Sequence, residues 1–209
     1  MAGSARRAAY FTEVMDDRTE DLRAMLDILR DVGAPSVLIG GLAVGFHGYQ
    51  RATQDVDMLV PPRFLKRIAT AARERGYIVR MFKDMVRAWP VGNDPDSDES
   101  IADFVSAEAN PVIRAASRDT EDATVLGQPV VVVRRGALYA LKFSAIVSPD
   151  RLIEDKYQDI ADVGHIVKKN FRRDDEVAGR RVAALAYPGA DDDFTEFLDN
   201  LRSGRPVRI

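Results

Sequence analysis

The strongest constraint on the fold lies between Val37 and Val60. A short apolar run, Val37-Leu38-Ile39, stops at Gly40-Gly41, and Leu42 to Phe46 then has the pattern of a helical turn or two. A second extended run, Gln54 to Val60, carries Asp55 and Asp57 with one residue between them. Side chains on a strand alternate between faces, so residues i and i+2 share one. Asp55 and Asp57 are therefore expected side by side, with Val56 and Met58 turned the other way into the core.

The chemistry of this β-turn-α-β unit follows from the same residues. Two carboxylates that close repel each other, and a divalent cation removes the penalty. Hard oxygen donors suit Mg²⁺ or Mn²⁺. Two glycines ahead of a helix let the backbone approach a ligand, and helix N-terminal amides attract phosphate. The stretch thus offers a metal platform on Asp55 and Asp57 and a phosphate cradle at Gly40 and Gly41.

Composition narrows the remaining classes. The chain has 209 residues, a net charge of −3 and no cysteine. Disulfides and thiolate metal sites are excluded, and two histidines, His47 and His165, are too few for a zinc site without carboxylates. The negative charge argues against strong nonspecific nucleic-acid binding, though not against a local basic groove. No apolar run reaches the ~20 residues of a membrane span, and the N-terminal MAGSARRAAYF lacks a signal peptide's apolar segment. The expectation is a cytoplasmic protein with no membrane partner.

The flanking elements read as follows. Asp17 to Val32 repeats apolar residues at Leu22, Met25, Leu26 and Leu29, an amphipathic helix. Pro61-Pro62 opens a second helix with Phe64, Leu65, Ile68 and Ala72 as its buried stripe. Tyr77–Phe82 and Met85–Val91 read as paired strands, and Gly92–Ser100 as a solvated acidic loop. Ile101–Ser106 is a further strand with Asp103 inside it, and a charge there is costly unless paired or metal-bound. Ala107–Ser117 reads as a helix interrupted by Pro111, with Glu108 in its first turn. Thr124–Leu126 and Val130–Val133 form a hairpin about Gly127-Gln128-Pro129. Helices follow at Ala137–Val147, Arg151–Asn170, Asp174–Leu185 and Asp191–Leu201. Lys142 is the one charge in its apolar helical stretch; it either snorkels to the surface or reaches a site. Asp159 and Asp162, at i and i+3, share a face and suit the orienting of lysines or the packing of the helices. His165 reads as a helix-surface residue, and Asp191-Asp192-Asp193 as a cluster at a helix N-terminus.

The order Gly40-Gly41, then Arg51-x-Thr53-x-Asp55-x-Asp57, resembles the signature of the nucleotidyltransferase fold shared with DNA polymerase β. The surrounding letters are similar to the bacterial AbiEii-type nucleotidyltransferases: Ala43, His47 and Gly48 also fall on that pattern, as does KYQDIADVGHIV with Lys156, Asp159 and Asp162. Gly41 stands where the stricter form has serine. The resemblance implies an α/β (α+β) fold: a nucleotidyltransferase-like mixed-sheet core flanked by helices over 17–134, then a C-terminal helical lobe over 135–203, with a cleft between them. It implies transfer of a nucleotidyl group from a nucleoside triphosphate to a hydroxyl, with Mg²⁺ or Mn²⁺ as a two-metal clamp. Asp55 and Asp57 would hold one metal, and Asp103, preferred over Glu108, would share the second. Gly40 and Gly41 amides would hold phosphates, Arg51, Lys142 or Lys156 would neutralise them, and Thr53 would support the aspartates. The acceptor is open. In a toxin–antitoxin setting it would be RNA, with an antitoxin protein as partner. The rival reading is a degenerate fold member that binds a nucleotide or a partner without catalysis.

Overall fold

The structure, a computed structural model, describes residues 19–53, 55–96, 100–125 and 127–207. The N-terminal segment, Gln54, residues 97–99 of the acidic loop, Leu126 and the end of the tail lie outside the described residues. In chain order the elements are α1 (Thr19–Val32), β1 (Val37–Leu38), α2 (Gly40–Phe46), β2 (Val56–Val60), a 3₁₀ turn (Pro62–Phe64) and α3 (Leu65–Glu74). Then come β3 (Ile78–Met81), β4 (Met85–Trp89), β5 (Ala102–Ser106), α4 (Pro111–Ala116), β6 (Thr120–Val125) and β7 (Gln128–Val133). Four helices end the chain: α5 (Arg135–Val147), α6 (Ile153–Asn170), α7 (Arg173–Ala183) and α8 (Ala190–Ser203).

The chain divides into two compact units. The first takes in the described residues of Met1–Ala43, Arg51–Ala109 and Glu121–Val132. It holds a mixed sheet in the order β3-β4-β5-β2-β1-β7-β6, whose end residues Thr120 and Val133 count with the second unit. β2 carries Asp57. It runs parallel to β5 and antiparallel to β1, while β4 runs antiparallel to β5. Met58, Leu59 and Val60 are all buried, so the strand is covered on both faces beyond Asp57.

The α1 stripe behaves as its spacing requires: Leu22, Met25, Leu26 and Leu29 are buried, each worth about 1.5–3 kcal/mol of apolar burial. Its polar side is tied to the same unit. Asp21 accepts from the Tyr77 hydroxyl at 2.8 Å, Asp27 accepts from the Gln128 amide at 3.0 Å, and Asp31 pairs with Arg75. Burial first, and then the bond to Asp21, hold the Tyr77 hydroxyl well above the ordinary phenol range. On α3, Leu65, Ile68 and Ala72 are buried as the pattern requires, together with Ala69. Phe64 is only half-buried, with the Arg63 and Arg67 guanidinium groups over its ring at 4.8 and 5.5 Å.

The second unit comprises Val44–Gln50, Asn110–Thr120 and Val133–Ile209, as far as they are described. Two segments that the sequence groups with the sheet, 44–50 and 110–120, are thus part of it. Pro111 does not interrupt a helix but begins one. Asn110 caps α4, its side-chain oxygen accepting from the Ile113 amide at 2.9 Å, and Pro111 occupies the first turn, where a missing N–H costs nothing. Glu108 is accordingly a turn residue ahead of the helix, its amide donating to Ser106 Oγ at 3.2 Å.

Helix α5 packs against α7 and α6. A Cβ on Gly136 would lie 2.3 Å from the Asp175 carbonyl oxygen, so the two backbones touch there and only glycine fits. Phe143 meets Phe194 edge-on at 5.6 Å and Phe197 at 5.7 Å, which closes the α5–α8 contact. The acidic start of α8 is bonded rather than merely solvated. Asp191 and Asp192 accept from Arg180, and Asp193 accepts from the Tyr187 hydroxyl. Burial and that last bond push the Tyr187 hydroxyl up to about 12. Among the described residues no helix is long and apolar enough to cross a membrane.

Candidate active site

The site residues of the sheet unit gather at the start of β2. Asp55 directly precedes the strand and Asp57 lies within it; both are half-buried, while Val56 and Met58 between and beyond them are buried. The alternation places the two carboxylates on one face. The β1 chain meets them through main-chain pairing, since the Ile39 amide donates to the Asp57 carbonyl at 2.9 Å.

The glycine turn follows at once, and its bareness has a measurable reason. Gly40 has φ +63°, a left-handed conformation that costs other residues roughly 1–2 kcal/mol. A Cβ at Gly40 would lie 1.7 Å from Asp57 Oδ2, so the Asp57 carboxylate occupies the place of a side chain. A Cβ at Gly41 would lie 2.4 Å from Thr53 Oγ1 and 3.2 Å from Arg51 Nη2. Thr53 donates its hydroxyl to Asp55 Oδ1 at 2.8 Å. Gly40, Gly41, Arg51, Thr53, Asp55 and Asp57 are thus brought together in one unit, and the serine of the stricter pattern would collide here with Thr53.

Asp103 is placed beside them in register but differently engaged. It pairs across the parallel β2–β5 ladder with Asp57, and across the β4–β5 ladder with Arg87. Arg87 grips it with both ends of its fork: Nε donates to Oδ1 at 2.7 Å and Nη2 donates to Oδ2 at 2.6 Å. Ser100 Oγ stands 3.4 Å from Oδ1. Asp103 is 8% exposed, so the charge the sequence flags as costly is offset by a guanidinium. Among the described residues no group of three His, Asp or Glu side chains converges to hold an ion. Both Asp103 oxygens accept from Arg87.

Arg87 is the residue that sequence reasoning missed. The signal available was an arginine between buried apolar neighbours in the strand MVRAW, but the register that sets it opposite Asp103 is not written in either strand alone.

Lys142 belongs to the helical unit, and its ammonium is engaged there. It donates to Asp159 Oδ1 at 2.6 Å and to Asp162 Oδ2 at 2.9 Å. It does not snorkel to the surface, since its side chain is largely buried. It is the centre of a buried ion cluster, with Gln158 donating to Asp162 at 2.8 Å. Burial acts to lower its pKa, but Asp159 and Asp162 together outweigh burial and hold it above the ordinary lysine value. Lys156 stands half-buried on α6 in the same unit. His47 is buried and its Nε2 meets the Val133 carbonyl at 2.8 Å, and His165 stacks on Tyr49 with ring centroids 3.9 Å apart. Both are packing residues of the helical unit.

The residues at β2 fit a divalent cation in the chemistry of the donor set: two hard carboxylates on one face, with Asp57 seated against a glycine and Asp55 oriented by Thr53.

The overall fold is similar to those of known proteins. A solution structure of the antibiotic-resistance factor ANT(2'')-Ia matches at TM-score 0.51 and 14% identity over 91% of this chain and 92% of that one. A nucleotidyltransferase-like protein from Paracoccidioides brasiliensis matches at 0.53 and 12% over 89% and 94%. A crystal structure of ANT(2")-Ia with adenylyl-2"-tobramycin matches at 0.51 and 15% over 80% and 97%. The chain therefore has the nucleotidyltransferase fold. No protein-family description matches it. No curated protein matches it either.

Proposed function

We propose that this chain is a nucleotidyltransferase acting on a nucleoside triphosphate. The observation that carries the reading is the pairing of the Asp55–Asp57 face with a glycine turn so close that Asp57 fills the space of a Gly40 side chain. In the reaction an acceptor hydroxyl oxygen bonds the α-phosphorus, the α–β phosphoanhydride bond breaks, pyrophosphate leaves with the bonding pair, and the hydroxyl proton passes to solvent. Asp55 and Asp57 would hold Mg²⁺ or Mn²⁺, which would supply Lewis-acid neutralisation of the phosphate oxygens. Thr53 fixes the Asp55 rotamer through its 2.8 Å bond. Arg51, packed at Gly41, offers a cation to the phosphates, and the Gly40–Gly41 backbone lines the same turn.

The similarity to AbiEii-type enzymes makes RNA the first acceptor to test, with an antitoxin protein as the partner of such a toxin. The ANT(2")-Ia complex carries an adenylylated aminoglycoside, so small hydroxyl acceptors form the second set. The test is transfer of α-phosphate label from each triphosphate, with Mg²⁺, to total RNA and to a panel of aminoglycosides. A second reading, nucleotide binding without transfer, is favoured by the Arg87–Asp103 pair, which occupies the carboxylate set beside Asp57 by the β2–β5 register. It predicts triphosphate binding with no labelled product.

A further inference from the structure

We propose that Arg87 is a positioning residue that restricts the sheet site to a single divalent cation, by holding Asp103 out of the metal's coordination. The inference rests on the Asp55–Asp57 platform proposed above and concerns how many ions it takes.

The register sets Arg87, Asp103 and Asp57 in a row across three adjacent strands. A carboxylate beside Asp57 is well placed to share an ion with it. It is also well placed to repel it, because two like charges on neighbouring strands of one ladder are unfavourable. The chain resolves that conflict with a guanidinium. The Arg87 side chain is 29% exposed and that of Asp103 12%, so the pair is screened only partly by water. Both carboxylate oxygens accept from Arg87, at 2.7 and 2.6 Å, in the bidentate fork that is the strongest form of this contact. An ion on Asp103 would have to displace that fork and would leave the guanidinium facing a dication.

The test counts Mn²⁺ bound per chain, by the loss of the free-ion electron paramagnetic resonance signal, with Mn²⁺ alone as the probe. Wild type is expected to bind one ion, and Asp57→Asn to weaken that binding by tenfold or more. Arg87→Gln frees Asp103 and is expected to bind two. Arg87→Lys keeps the positive charge and is expected to return the count to one. The double variant Arg87→Gln/Asp103→Asn replaces the ion pair by a neutral pair of similar size, and is expected to bind one ion within about twofold of wild-type affinity. That variant keeps the proposal testable if Arg87→Gln alone does not fold. Two ions on the wild type, one ion on a folded Arg87→Gln, or loss of binding in the double variant would each overturn the proposal while leaving the platform in place. No Mn²⁺ on wild type, with Asp57→Asn indistinguishable from it, would instead remove the platform and the proposal together.

Discussion

Replacing Lys142 by methionine isolates one buried charge, and its consequence follows from the structure. The lysine side chain is 11% exposed, while its partners Asp159 and Asp162 are 3% and 0% exposed. Methionine keeps the apolar stem, so the packing of α5 changes little. What is lost is an ammonium bonded to both carboxylates. Gln158 still donates to Asp162, and Arg151 stands 3.3 Å from Asp159 Oδ2 without the alignment of a hydrogen bond. Removing one partner from a buried ion cluster costs about 3–5 kcal/mol, because the other charge stays desolvated. For a chain of this size that is about 6–20 °C in unfolding midpoint. Circular dichroism melts of wild type and Lys142→Met measure it. The variant Lys142→Met/Asp159→Asn/Asp162→Asn carries no stranded charge and should recover most of the loss. The pH dependence has a defined sign. The Lys142 pKa is raised above its ordinary 10.5, so its stabilisation is complete below that value and disappears as pH rises through the higher folded-state value. The gap between wild type and Lys142→Met should therefore stay constant from about pH 7 to 9 and close only at stronger alkalinity. A single variant melting within about 2 °C of wild type, or a triple variant no better than the single, would refute the reasoning.

Other perturbations follow from the same geometry. Gly41→Ser should destabilise by about 1–3 kcal/mol, because its Cβ would meet Thr53 Oγ1 at 2.4 Å, and Thr53→Gly in that background should relieve it in urea unfolding. Gly40→Ala should lower Mn²⁺ affinity, since it must push the Asp57 carboxylate aside; unchanged affinity in calorimetry would contradict the contact. Gly136→Ala should cost several times what Gly→Ala changes usually do, roughly 3 kcal/mol or more, because α5 and α7 meet backbone to backbone there. Asn110→Ala should cost about 1 kcal/mol through loss of the cap of α4, read by the same urea titration.

The parts of this protein that sequence makes readable are those set by local periodicity. The α1 stripe, the alternation of Asp55–Val56–Asp57–Met58 and the Gly40 turn each depend on neighbours in the chain, and each takes the form its spacing dictates. The α4 boundary departs from the sequence expectation because a lone proline reads as an interruption, whereas with Asn110 before it proline is a start. The fate of Asp103 was only half readable. Burial of a charge in an apolar strand required a partner, but the identity of that partner depends on the β4–β5 register, a long-range property. Lys142 shows the same limit. Its own helix showed only a lone charge, and the two carboxylates that neutralise it lie on α6, where their shared face was visible but not what it faces.

The most direct test of the central claim is transfer of α-phosphate label from a nucleoside triphosphate, with Mg²⁺, comparing wild type with Asp57→Asn. Both proteins are first shown to have the same melting curve. Catalysis at the Asp55–Asp57 face predicts that wild type forms a labelled covalent product with RNA or an aminoglycoside and releases pyrophosphate. It predicts that Asp57→Asn loses at least a hundredfold of that rate, about 2.7 kcal/mol of barrier. Equal rates in the two proteins, or triphosphate binding by wild type with no labelled product from any acceptor, would contradict it.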